Sequence, residues 1–63
     1  MKFHLKRIRE EKSISIERLA KMSNVAKNSV VDIDAGTANP TLKTMCKLAK
    51  ALDVNVWELF ECE

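Results

Sequence analysis

The stretch Asn24-Val-Ala-Lys-Asn-Ser-Val-Val-Asp-Ile-Asp-Ala-Gly36 decides the fold of this chain. Asparagine tolerates the left-handed backbone conformation of a tight turn better than most residues other than glycine. Beyond this turn, Val30 and Ile33 are spaced to face inward from a helix, and Gly36 stands where such a helix ends. The stretch therefore predicts a turn followed by a short helix over about Lys27 to Asp34. Ala26, at the expected N-cap, is a poor capping residue and costs about 1 kcal/mol relative to serine.

A second short helix is predicted immediately before this turn. Ser15 is a favourable N-cap, and Ile14 and Leu19 are spaced to form a hydrophobic staple across it. These signals predict a helix from about Ile16 to Ser23. Two short helices joined by a tight turn are the sequence pattern of a helix-turn-helix.

The rest of the chain predicts three more helices. Apolar spacing at Leu5 and Ile8 predicts a first helix over about Lys2 to Lys12. Pro40 ends the helical region at Asn39, and Thr41 caps a fourth helix over about Leu42 to Leu52. The inner stripe of this fourth helix is expected to consist of Leu42, Met45, Leu48, Ala49 and Leu52.

A last short helix is expected near the end of the sequence. Asn55 is its predicted N-cap, and Glu58 completes a capping-box-like pair with it. Trp57 and Phe60 are expected to supply most of the remaining apolar area. The fold prediction is an all-α, compact five-helix bundle.

Size and composition agree with a single helical domain spanning 1–63. The 63 residues are 46% hydrophobic and 32% charged, with one glycine, one proline and no tyrosine, which favours helices over many short strands. The net charge is only +2, so any case for nucleic-acid binding must depend on where the charges lie. No apolar run is long enough for a membrane span or a signal peptide, and a cytoplasmic protein is expected.

The sequence offers little for catalysis or metal binding. His4 is the only histidine, and Cys46 and Cys62 lie too far apart for a C-x-x-C site, so neither a metal nor a cofactor is expected. No nucleophile has a base at a suggestive spacing, which argues against an enzyme. Both thiols are expected to be reduced, with Cys46 as a small buried hydrophobic residue and Cys62 exposed on the tail.

Four side chains remain on the outer face of the third helix once its core positions are assigned: Lys27, Asn28, Val31 and Asp32. In the major groove of DNA, Asn28 could pair with adenine, and Lys27 could donate to guanine or to a phosphate. Val31 could contact a thymine methyl group, and Asp32 could accept from a cytosine amino group. The alternative is an ordinary solvated helix face, because exposed polar residues are the norm on helices.

The order and spacing of many residues resemble the Cro/C1 (XRE) helix-turn-helix family of phage and bacterial repressors over nearly the whole chain. The matching positions are Leu5, Arg9, Ser15, Leu19, Ala20, Val25, Val30, Ile33, Asp34, Gly36, Asn39, Pro40, Leu42, Leu48, Ala49, Ala51, Leu52, Val54, Leu59 and Phe60. The resemblance implies a lambda-repressor-like fold in which the second and third helices form the DNA-reading unit. It also implies a homodimer on a near-palindromic operator in double-stranded DNA.

Carried onto this sequence, the base-reading positions of the family fall on Lys27, Asn28 and Asp32, with Ser29 and Val31 as supporting contacts. The expected phosphate contacts fall on Ser15, Ile16, Ser29, Thr37, Asn39 and Lys43. The resemblance further implies an ion pair between Arg9 and Asp34, for which the alternative is two solvated charges.

Departures from the family pattern keep a second function open. Ile16 replaces a common glutamine, Ala26 a capping Ser or Thr, and Thr37-Ala38 residues that tend to be basic, while Asp32 adds an acid to the reading face. Each missing cation removes a phosphate contact and part of the salt-dependent affinity. The resemblance nevertheless implies sequence-specific binding of double-stranded DNA by a transcriptional regulator, expected to be a repressor. A protein-interaction module that retains the fold but has a weakened DNA-binding face is the alternative.

The C-terminal end also favours self-association. Val54, Val56, Trp57 and Phe60 supply more large side chains than a small core can fully cover.

Overall fold

Four α-helices and a small antiparallel sheet make up residues 2–62, the part of the chain that the computed structural model describes. The elements in chain order are β1 (Lys2–Phe3), α1 (Leu5–Glu11), α2 (Ile16–Ser23), α3 (Lys27–Ala35), α4 (Leu42–Leu52), a 3-10 turn (Val56–Glu58) and β2 (Phe60–Glu61). The prediction of a mostly helical fold is confirmed, but the prediction of five helices is wrong, because residues 2–62 form four α-helices and a two-stranded sheet.

The first correction concerns the start of helix one, which begins at Leu5 rather than Lys2. In β1, Lys2 lies opposite Glu61 and Phe3 opposite Phe60 in an antiparallel pair. The backbone N–H of His4 adds a 2.7 Å hydrogen bond to the carbonyl of Leu59. Strands of two residues carry no readable periodicity, and this pairing joins opposite ends of the chain.

The second correction concerns the last predicted helix, which is a single 3-10 turn. Its N-terminus has the expected capping pair: Asn55 Oδ1 accepts from the amide of Trp57 at 3.2 Å, and Glu58 Oε2 accepts from the amide of Asn55 at 2.7 Å. Phe60 then enters β2, so the helix cannot continue. Trp57 buries less apolar area than expected, because 69% of it is exposed.

The caps predicted for α2 and α4 are confirmed. Ser15 Oγ accepts from the amide of Arg18 at 3.1 Å, and Thr41 Oγ1 accepts from the amide of Thr44 at 3.2 Å. Each bond satisfies one of the first-turn amides that a helix leaves without an internal partner. Local side-chain chemistry therefore fixes where both helices begin.

The core lies where the helices meet, with α2 packed on both α3 and α4. Its buried side chains are Leu5, Ile8, Leu19, Val30, Ile33, Met45, Leu48, Ala49, Leu52 and Leu59. Two predictions for α4 are wrong, because Leu42 is 58% exposed and Cys46 is also exposed. Leu42 lies in the first turn of α4, one turn before the buried stripe begins, while Cys46 follows Met45 on the outer side of the helix. Within residues 2–62, no helix is long and apolar enough to cross a membrane.

Candidate nucleic-acid interface

The turn between α2 and α3 forms without a glycine. Asn24 ends α2 in the left-handed conformation, with φ 57° and ψ 39°. The amide of Val25 then donates to the carbonyl of Ala20 at 3.2 Å, and the buried hydroxyl of Ser23 donates to the carbonyl of Leu19 at 2.7 Å. These bonds satisfy carbonyls at the end of α2 and turn the chain sharply into α3. The predicted role of Asn24 is confirmed.

The faces of α3 divide as the apolar spacing predicts. Val30 and Ile33 are buried against the core. The structure places the four side chains predicted to read bases at the surface: Lys27, Asn28, Val31 and Asp32. Asn28, Val31 and Asp32 follow the i, i+3, i+4 spacing of neighbours on one helix face, and Lys27 lies one turn before Val31. Together they form one outward patch of two charged groups, one amide and one apolar side chain.

The two ends of α3 are built differently. Ala26 provides no side-chain cap at the start, as its sequence position suggested. Gly36 closes the end in the left-handed conformation with φ 80°, and the helix extends one residue beyond the prediction, to Ala35. The amide of Thr37 donates to the carbonyl of Asp32 at 3.0 Å, and the Thr37 hydroxyl approaches the same oxygen at 3.3 Å. The first residue of the following loop is thereby tied to α3.

A small cleft joins α3 to the loop that follows it. It has a volume of about 170 Å³ and is lined by Ser29 and Asp32 of α3 together with Asn39 and Pro40 of the loop. This cleft therefore brings together three exposed residues that were expected to contact DNA: Ser29, Asp32 and Asn39.

The start of α2 and the start of α4 present the other residues expected to contact phosphates. Ser15 is exposed and uses its hydroxyl oxygen as an acceptor for the helix cap, which leaves the hydroxyl proton available to an anion. Ile16 is half-buried and packs against the core, so only its backbone amide could contact a phosphate. Lys43 is exposed in the first turn of α4.

Lys27 forms an ion pair with Glu17, a residue that was not among the predicted site residues. Its Nζ donates to Glu17 Oε1 at 3.0 Å, and the two side chains are 57% and 71% exposed. Glu17 lies in the first turn of α2, and Lys27 lies in the first turn of α3. The only sign of this pair in the sequence is that two consecutive helices carry opposite charges in their first turns. Spacing alone could not identify the pair, because the residues are ten positions apart and belong to different helices.

Arg9 and Asp34 hold α1 against the end of α3. Arg9 Nε donates to Asp34 Oδ1 at 3.0 Å, Nη2 donates to Oδ2 at 3.1 Å, and Nη1 donates to the carbonyl of Ile14 at 2.9 Å. The two side chains are only 12% and 10% exposed, so they are not solvated charges. The hydrogen bonds to Asp34 raise the pKa of Arg9 above its ordinary value, against the opposing effect of burial. The pair fixes the helix-turn-helix formed by α2 and α3 against the first helix.

His4 and the two cysteines are the other residues that the sequence offered for metal binding. His4 lies at the N-cap position of α1, and its Nε2 is 3.1 Å from Glu61 Oε1 of β2. Cys46 and Cys62 are both free thiols at the surface. Over the described range 2–62, no group of three or more His, Cys, Asp or Glu side chains is placed to hold a metal ion.

Comparisons with known proteins agree with this geometry. The chain is similar to the restriction-modification controller protein C.AhdI from Aeromonas hydrophila, with a TM-score of 0.84 and 38% identity over 89% of this chain and 85% of that one. It is also similar to the N-terminal DNA binding domain of SinR from Bacillus subtilis, with a TM-score of 0.78 and 33% identity over 84% of this chain and 78% of that one. No curated protein sequence matches the chain at a significant level. A helix-turn-helix family model matches residues 5–58, and the chain therefore belongs to the Cro/C1 (XRE) type of helix-turn-helix proteins.

Proposed function

We propose that this protein is a transcriptional repressor that binds a specific sequence of double-stranded DNA in the cytoplasm, with α3 in the major groove. The outward patch of Lys27, Asn28, Val31 and Asp32 on α3 is the observation that carries this proposal. A helix fits the major groove, and a preceding helix can rest on the phosphates and hold it in register. The name of one similar structure describes a DNA-binding domain, and that of the other describes a controller protein.

Each exposed side chain of the patch has a base that matches its chemistry. The Asn28 amide can donate to and accept from adenine, and the Lys27 ammonium can donate to the two acceptors of guanine. Val31 is 40% exposed and suits the methyl group of thymine, while the Asp32 carboxylate can accept from the amino group of cytosine. A good bidentate contact discriminates against a wrong base by about 1–3 kcal/mol.

The phosphate contacts surround this patch. The proposed donors are the hydroxyls of Ser15, Ser29 and Thr37, the amide of Asn39, the backbone N–H of Ile16 and the ammonium of Lys43. In the free protein the Thr37 hydroxyl donates to the carbonyl of Asp32 at 3.3 Å, so it must release this bond to reach a phosphate. Most of these donors are neutral. We therefore expect weaker salt dependence than for a reader with basic residues in the loop after α3, because fewer counterions are released.

A homodimer would place one α3 on each half-site of a near-palindromic operator. Half-sites that face the same side of the duplex are about 34 Å apart. Less apolar surface is available for self-association than the sequence suggested, because Val54, Val56 and Phe60 are partly buried against the core. Trp57 remains largely exposed, with its ring centroid 5.9 Å from that of Phe60. We propose that Trp57 lies at the dimer contact.

Selection of bound sequences from a pool of random duplexes tests DNA binding, operator symmetry and half-site spacing together. The expected result is an enriched near-palindrome with half-sites about one helical turn apart. Failure to enrich any sequence, with no duplex bound more tightly than about 10⁻⁴ M at moderate salt, would contradict the proposal.

Substitution of Asn28 separates base reading from general attraction. Asn28→Ala is expected to lower the affinity for the selected duplex about 5- to 150-fold, as the loss of one bidentate base contact implies, and to change the affinity for a scrambled duplex much less. Glu10→Ala, an exposed position on α1, serves as the control. Equal losses on both duplexes would exclude Asn28 as a base-reading residue.

A protein-interaction module is the second candidate function. Lys27 is paired with Glu17, and with the exposed carboxylate of Asp32 these three residues carry a net charge of −1. A surface with little net charge attracts the phosphate backbone weakly. Saturable binding of a protein partner through this face, without enrichment of any duplex, would favour this candidate.

A further inference from the structure

The contact between Glu17 and Lys27 joins the two helices of the reading unit at its outer edge. The 3.0 Å distance joins the Lys27 ammonium to a single carboxylate oxygen, and both side chains are more than half exposed. Glu17 therefore lies beside the proposed base-reading patch without being part of it. In the free protein it is the acidic partner of the Lys27 ammonium.

We propose that Glu17 is a positioning residue that determines specificity by restraining Lys27, an inference that rests on the proposed DNA-reading function. Held by Glu17, Lys27 can serve a base next to the start of α3 but cannot freely reach the nearest phosphate. The residue thereby lowers the affinity for arbitrary DNA without lowering the affinity for the operator.

The chemistry of the ammonium makes both parts of this inference possible. Lysine has three donors, so Nζ can keep its bond to Glu17 and still donate to guanine. While it is paired, the ammonium is already neutralised by Glu17 and offers no net charge to a phosphate. On arbitrary DNA, Lys27 must therefore leave Glu17 to release a counterion, which exposes that carboxylate to the phosphate backbone. Since the pair is solvent-exposed, breaking it is expected to weaken non-specific binding about 1.5- to 5-fold.

The restraint acts on the one cation of the proposed base-reading patch, Lys27. The loop after α3 adds no cation beside it, because Thr37 and Ala38 are uncharged. The other exposed cations on α2 and in the first turn of α4 are Arg18, Lys21 and Lys43. Whether Lys27 is held or free therefore changes the balance between specific and non-specific binding.

The test is Glu17→Gln, which removes the charge while keeping the size of the side chain. Binding is measured with a duplex selected from the random pool and with a scrambled duplex of the same composition, each over a series of salt concentrations. We expect the affinity for the scrambled duplex to rise about 1.5- to 5-fold, with a log–log salt slope steeper by up to about 0.9. The affinity for the selected duplex should not rise, so discrimination falls.

The matched control is Glu11→Gln. It removes the same charge from the pair between Arg7 and Glu11 on α1, whose atoms are 2.9 Å apart and whose side chains are 62% and 61% exposed. If the loss of one negative charge anywhere on the surface were sufficient, Glu17→Gln and Glu11→Gln would raise the affinity for both duplexes by similar factors. That result would overturn the inference. Circular dichroism verifies that each variant is folded. A purely structural role for Glu17 in the first turn of α2 would alter stability without altering discrimination, and that result would also overturn it.

A second comparison uses Lys27→Ala as the background. If Glu17 acts through Lys27, adding Glu17→Gln to this variant should leave discrimination unchanged; a further loss would contradict the inference. The unsubstituted protein in the same experiment tests the proposed function separately. Absence of discrimination there counts against DNA reading itself, whereas discrimination that Glu17→Gln leaves intact counts only against the role of Glu17.

Discussion

Replacing Asp34 with alanine is expected to destabilise the protein far more than the loss of a surface charge would. Asp34 accepts two hydrogen bonds from the Arg9 guanidinium, at 3.0 and 3.1 Å, from a site where its side chain is only 10% exposed. Without Asp34, the guanidinium keeps only its 2.9 Å bond to the carbonyl of Ile14. A largely buried cation then lacks its anion.

The magnitude follows from that burial. Removing one partner of a buried ion pair costs about 3–5 kcal/mol, because the remaining charge is left uncompensated. Small domains are stable by only about 5–15 kcal/mol, and this one is near the lower limit of size. Asp34→Ala is therefore expected to lose a large part of its free energy of unfolding.

Urea denaturation followed by circular dichroism measures this loss. Glu11→Gln, which breaks the exposed pair with Arg7, is the control and should cost less than about 1 kcal/mol. Arg9→Met combined with Asp34→Leu should recover most of the stability, since apolar residues of similar size often replace buried ion pairs without loss. A cost for Asp34→Ala as small as that of the control would refute the reasoning.

The contribution of the Arg9 charge should not depend on pH in the neutral range. The pKa of Arg9 is raised by its hydrogen bonds to Asp34. Stability from a raised pKa is fully present below the ordinary pKa of arginine and is lost only as the pH rises through the raised value. The difference in unfolding free energy between the unsubstituted protein and Arg9→Met should therefore be the same at pH 7 and pH 9.

Three further substitutions test separate features. Ala26→Ser should stabilise the protein by about 1 kcal/mol in urea denaturation, because it supplies the missing N-cap of α3; no gain would show that the first turn does not use a cap. Gly36→Ala should lower the free energy of unfolding by about 1–2 kcal/mol, because its φ of 80° strains any residue with a Cβ. An added Cβ meets no atom within 4 Å, so a larger loss would contradict this account. Trp57→Asp should weaken self-association in sedimentation while leaving the unfolding of the monomer nearly unchanged, and an unchanged sedimentation profile would place the dimer contact elsewhere.

The features that could be predicted from sequence are those that neighbouring residues determine. Ser15 and Thr41 cap helices because each hydroxyl reaches an amide three residues ahead, and Asn24 turns the chain because its own backbone tolerates a positive φ. The buried positions Val30 and Ile33 follow from helical spacing within a single element. Such signals require no knowledge of the rest of the fold.

The features that could not be predicted depend on contacts between distant parts of the chain. The pairing of Phe3 with Phe60 arises only when the folded helices bring the two ends together. Trp57 was expected to supply much of the last apolar area, but after the 3-10 turn it lies mostly at the surface, and Leu59 is the buried side chain of this segment. The contact of Lys27 with Glu17 likewise depends on how α2 and α3 pack against each other, which sequence spacing does not reveal.

The strand pair also makes the two ends of the domain open together. Two contacts join these ends: the pairing of Phe3 with Phe60, and the bond from the amide of His4 to the carbonyl of Leu59. Both contacts are lost when the first strand and the last strand part from each other. Amide hydrogens in regions that unfold as one cooperative unit exchange with a common free energy of opening. The amides shielded at the start and at the end of the chain should thus report one opening event, and damage to the last turn should release the first strand as well.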